Sequence, residues 1–153
     1  LQPSLRARRE VPGQARDGVS LALAAFLALL PLPARAQILP TDFPAADIIL
    51  TQALAEQRVF LTCSALDPAM HEIVARSWAE DVQAAQAIMA AEGVTVEAAA
   101  AFTAAARSAA LMPAADTPWT EVRQLCDAHR DWPVRYGRLD FTILRLKLPA
   151  AFE

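Results

Sequence analysis

The sequence predicts an all-α fold: four or five helices in a mostly antiparallel bundle with one disulfide, behind a cleaved N-terminal signal peptide. Three observations carry that reading. Beyond position 43, apolar residues recur at three- and four-residue spacing through successive segments. Helix starts such as Asp67-Pro68 and Thr117-Pro118 set those segments apart, with short connections that favour antiparallel neighbours. Two cysteines, Cys63 and Cys126, fall in different segments.

The first 36 residues have the layout of an export leader. Arg6, Arg8, Arg9 and Arg16 form a positive start, and Val19–Leu32 is apolar apart from Ser20. Ala34-Arg35-Ala36 then offers small residues where a signal peptidase cuts, so cleavage is expected after Ala36. The rival reading is a retained anchor. An apolar helix of about 14 residues covers roughly 21 Å, short of a ~30 Å hydrocarbon core. Pro31 and Pro33 also end the helix just before the cut. Arg8-Arg9 is followed by Glu10-Val11-Pro12, a poor twin-arginine continuation, so the general secretory route is favoured. The chain opens on Leu1 rather than Met, and residues 1–15 carry no fold argument.

Residues 37–153 are then a single domain of 117 residues with nine basic and fifteen acidic side chains, a net charge of −6. Such a balance argues against nucleic acid, whose binding needs many cations on one face. In an exported chain an isolated cysteine pair reads as a disulfide. Linking Cys63 to Cys126 closes a loop of about 63 residues, worth roughly 4 kcal/mol in the chain-entropy model.

The first helix is expected over about 43–63, capped by Thr41 or Asp42, with Pro44 in its first turn. Ala46, Ile49, Leu50, Ala53, Leu54, Phe60 and Leu61 mark its apolar face, with a gap at Gln57. Asp67-Pro68 starts the second helix, the longest and the expected spine, which Gly93 terminates. Its apolar side holds Met70, Ile73, Val74, Trp78, Val82, Ala85, Ile88 and Met89. Thr95 caps an alanine-rich third helix running to about Leu111. Thr117-Pro118 starts a fourth, with Trp119, Val122, Leu125 and Cys126 on one face and an end around 129–131. Trp132–Leu148 fits a helix better than a strand, because Leu144 breaks the strand alternation and no partner strand exists. The tail 149–153 is expected to fray.

Four chemistries compete for the polar residues. His71-Glu72 begins a zinc-protease motif, but Ala75 stands where the second histidine belongs. Cys63, His71, Cys126 and His129 are the right residue types for tetrahedral zinc, at a spacing that matches no standard finger. Cys126 with His129 and Asp127 or Asp131 suits a thiol hydrolase only if the thiol is free. Glu80-Asp81 reads as a solvated pair, since neighbouring helix positions point apart. Neither a metal nor a cofactor is assigned.

The remaining feature is the C-terminal run Arg130, Trp132, Arg135, Tyr136, Arg138, Arg145 and Lys147, a candidate surface for a partner or an anion. The plainer reading has its cations balance an acidic domain and its aromatics enter the core. Together these observations imply a periplasmic or secreted helical protein of non-catalytic, binding or accessory role. Its partner would be another protein or a small apolar ligand. The alternatives are a thiol- or zinc-dependent hydrolase centred on Cys126, His129 and His71, and a peripheral binder of an anionic membrane or envelope surface.

Overall fold

A computed structural model describes residues 40–153. The signal peptide expected over residues 1–36, and the cut after Ala36, lie outside the described residues. The described residues form six α-helices and a closing 3₁₀ turn: α1 (Pro44–Ser64), α2 (Pro68–Ala91), α3 (Val96–Arg107), α4 (Trp119–Ala128), α5 (Trp132–Gly137) and α6 (Leu144–Lys147), then Pro149–Ala151. The all-α class and the disulfide hold, while the count exceeds the four or five helices expected. Among the described residues no helix is long and apolar enough to cross a membrane.

α1, not the longer α2, is the hub. It meets α2, α3, α4, α5 and α6, and its residues 59–64 are buried all round. A helix surrounded on every side shows no clean amphipathic stripe, which is why periodicity undervalued its second half. Gln57, the gap in the apolar pattern, is itself buried. The start of α1 also differs from expectation. Phe43 occupies the N-cap and contributes no side-chain bond. Thr41 instead donates its backbone N–H (2.9 Å) and hydroxyl (2.8 Å) to the Asp47 carboxylate in the first turn. Asp42 adopts a positive φ of 68° and cannot begin the helix.

α2 starts as the sequence predicts. Asp67 Oδ1 accepts from the amides of Ala69 (3.1 Å) and Met70 (3.3 Å), and Pro68 fills the first helical position. Its buried stripe is Val74, Trp78, Asp81, Ala85 and Met89, narrower than the face expected; Ile73 is half exposed. At its end Val94 donates to the Met89 carbonyl and Gly93 to that of Ala90, with Gly93 at φ 76°. That paired closure is a Schellman motif, and the left-handed position falls to glycine because Gly has no Cβ to clash.

Thr95 caps α3 through the Ala98 amide at 3.2 Å. The alanines let α3 lie close enough to α2 for Trp78 Nε1 to donate to the Ala106 carbonyl at 3.1 Å. α3 stops at Arg107 rather than near Leu111, and the chain that follows turns in to Thr62 on α1. The Leu111 amide donates to Thr62 Oγ1 at 3.0 Å. α4 begins at Trp119, one residue later than expected, with Pro118 as N-cap. The Thr117 hydroxyl is not its cap and donates instead to the Leu111 carbonyl at 2.9 Å.

The expected single helix over Trp132–Leu148 is two short helices with an extended link. α5 closes in a second Schellman motif, Asp140 donating to Arg135 and Leu139 to Tyr136, with Leu139 at φ 55°. Within the link, Thr142 is held by Glu56 of α1, and just beyond it Leu144 and Arg145 are held by Asp81 of α2. The tail does not fray: Phe152 meets the Phe43 ring edge-on at 4.8 Å between centroids.

Candidate functional site

Two places gather the side chains of interest: the α1–α4 junction and the C-terminal segment. At the junction Cys63 and Cys126 form a disulfide with their Cα atoms 5.7 Å apart. Cys63 is deeply buried and Cys126 half-buried. The bond ties the last turn of α1 to the last turn of α4. Beside it lies an open cleft of about 290 Å³, lined by Arg58, Leu111, Glu121, Gln124, Leu125 and Ala128. Arg58 and Glu121 face each other across it at 3.5 Å.

Neither histidine is a partner of either sulfur. His71 Nδ1 lies 3.0 Å from Ser64 Oγ, and Ser64 is fully buried, so this pair links the ends of α1 and α2. His129 is the half-buried C-cap of α4, its amide donating to the Cys126 carbonyl. Among the described residues no three His, Cys, Asp or Glu side chains are grouped to hold a metal ion. A thiolate at Cys126, which the hydrolase reading requires, is absent while the disulfide stands.

The C-terminal segment is organised by two acidic residues, Glu56 and Asp81. Glu56 on α1 accepts from the Thr142 amide (2.6 Å) and from Arg135 Nη2 (2.8 Å). Asp81 on α2, 3% exposed, accepts from the amides of Leu144 (2.6 Å) and Arg145 (3.0 Å). Those are the first two residues of α6, so Asp81 caps that helix from another one. The reading of Glu80-Asp81 as a solvated pair is therefore corrected: Glu80 is exposed and Asp81 is buried. The signal existed, since position 81 falls in the same stripe as Trp78 and Ala85.

The seven residues of the basic–aromatic run do not share one role. Trp132 and Tyr136 lie against Phe60, at centroid distances of 6.3 and 5.4 Å, and Tyr136 stacks on Phe141. Arg135 also reaches over the Phe60 ring at 5.9 Å. Arg145 sits 3.6 Å from Asp81, and exposed Arg130 pairs with Asp127 at 3.2 Å. Arg138 and Lys147 are exposed and make no ion pair among the described residues.

No protein-family model, curated protein or solved structure matches this chain.

Proposed function

We propose that this chain is an exported protein whose helical domain serves by binding rather than by catalysis, with its cysteines oxidised in the resting form. The observation that carries the reading is the Cys63–Cys126 bond itself. A cystine of this kind persists in an oxidising compartment, and the leader of residues 1–36 supplies a route to one. It also occupies both sulfurs, the strongest nucleophiles in the sequence. Intact mass and N-terminal sequencing of the protein from its producing cell test the proposal. Expected are an N-terminus at Gln37, a mass two hydrogens below the reduced value, and no alkylation before reduction. Cytosolic material with both thiols open to alkylation would overturn it.

A second reading, contact with an anionic membrane or envelope surface, has one observation in its favour. Among the described residues Arg138 and Lys147 have no acidic partner, and the neighbouring Leu139 and Leu146 are 64% and 69% exposed. Binding to vesicles rich in anionic lipid should weaken with added salt and with Arg138→Glu plus Lys147→Glu. Indifference to both changes would remove this reading.

A further inference from the structure

The disulfide fastens one particular piece of chain, residues 112–131, whose two ends are secured independently. At its start the Leu111 amide is bound to Thr62 on α1. Beyond its end Trp132 and Tyr136 rest on Phe60, and Arg135 is held by Glu56 at 2.8 Å. Between those anchors little else grips. Val122 is the only fully buried side chain of α4, Leu125 is half-buried, and Trp119 is 47% exposed. The Arg58–Glu121 pair is long at 3.5 Å, with both side chains about half exposed, and pairs of that sort contribute little. α1 is the only helix that α4 meets extensively among the described residues, and an open cleft lies beside their contact. The rest of the body has its own fastenings: Trp78 to Ala106, Asp81 to α6, Glu56 to Thr142.

We propose that residues 112–131 form a redox-controlled strap, which opens when Cys63–Cys126 is reduced while α1, α2, α3 and α6 stay folded. The reductant class is a Cys-x-x-Cys dithiol protein. Its thiolate attacks Sγ of Cys126, the less buried of the two cysteines. The S–S bond breaks and Cys63 leaves as a thiolate that takes a proton. The second thiol of the reductant then displaces Cys126, which is protonated in turn. Two electrons and two protons pass to this chain, and the reductant becomes a disulfide. Opening bares Cys63 and the apolar groups Val122 and Leu125. The strap depends on the bond and not on the export route, so a failure here leaves the proposed location standing.

Hydrogen–deuterium exchange on the purified protein, oxidised and then reduced with a phosphine, tests the strap. Complete reduction is verified by mass. The α4 amides should exchange ~100-fold faster or more after reduction, while the α2 amides and those of Leu144 and Arg145 stay within about threefold. A Cys63→Ser, Cys126→Ser variant should show the same pattern without reductant, and reduction of the native chain gives the comparison if that variant does not fold. Unchanged protection of α4 in fully reduced protein would overturn the proposal, as would loss of α2 protection together with that of α4.

Discussion

Asp81 and Leu144 lie 63 positions apart in the chain and share a 2.6 Å hydrogen bond, from backbone amide to buried carboxylate. The four-residue α6 cannot satisfy its own first amides, so a carboxylate on α2 does so. Asp81→Ala leaves two amides without an acceptor, and one of them is buried. Urea unfolding should show a loss of ~2–4 kcal/mol. Asp81→Asn keeps one acceptor oxygen and should cost about half as much. Arg145→Met should cost under about 1 kcal/mol, because the Arg145 side chain is 48% exposed and water screens its charge. Equal losses for Asp81→Ala and Arg145→Met would show that the ion pair, not the cap, is what matters.

Arg135 and Arg130 look alike in sequence and differ in consequence. Arg135 is tied to Glu56 and to the Asp140 carbonyl, with its side chain 30% exposed; Arg130 is 80% exposed and paired within its own turn. Arg135→Met should therefore destabilise the domain by ~1–3 kcal/mol, and Arg130→Met by no more than about 0.5 kcal/mol. A double-mutant cycle with Glu56→Gln should return a coupling of ~1 kcal/mol or more for Arg135. A coupling near zero would mean that Arg135 acts only through its contact with the Phe60 ring.

Local signals were legible. Asp67-Pro68, Thr95 and Gly93 announce helix ends through bonds to residues at most five positions away, so their chemistry travels with the sequence. The C-terminal segment was not legible, for the converse reason. Its breaks and caps are set by Glu56 and Asp81, which reach residues 86 and 63 positions further on. A polar residue in an apolar stripe, as at position 81, carries information that simple binary patterning discards. Thr117 shows the same limit in another form, since its hydroxyl found the Leu111 carbonyl before it could cap α4. The division of the basic–aromatic run, with its aromatics against Phe60, likewise depends on a helix more than 70 positions earlier.

Gln57 supplies a stabilising prediction. It is 2% exposed, and its Oε1 is buried without a hydrogen-bond partner among the described residues. A buried amide oxygen in that state costs about 1–3 kcal/mol. Gln57→Met keeps the length of the side chain and removes that acceptor. The urea midpoint should rise, by an amount equivalent to ~1 kcal/mol. A fall of similar size would show that the amide has a partner which Met cannot replace.

The two Schellman closures form a natural control on one another. Gly93 and Leu139 occupy the same position in the same motif, at φ 76° and 55°, after α2 and α5 respectively. At Gly93 no heavy atom beyond its chain neighbours would meet an added Cβ within 4 Å. The cost of Gly93→Ala is therefore backbone conformation alone, ~1 kcal/mol of lost stability. Leu139 already bears that cost, and its side chain is 64% exposed, so little burial offsets it. Leu139→Gly should raise stability by up to ~1 kcal/mol, less the extra freedom glycine gives the unfolded chain. Opposite signs at the two sites, read from urea midpoints under one set of conditions, are the expected result. Two losses of equal size would mean that the Leu139 side chain makes a stabilising contact large enough to outweigh its left-handed backbone.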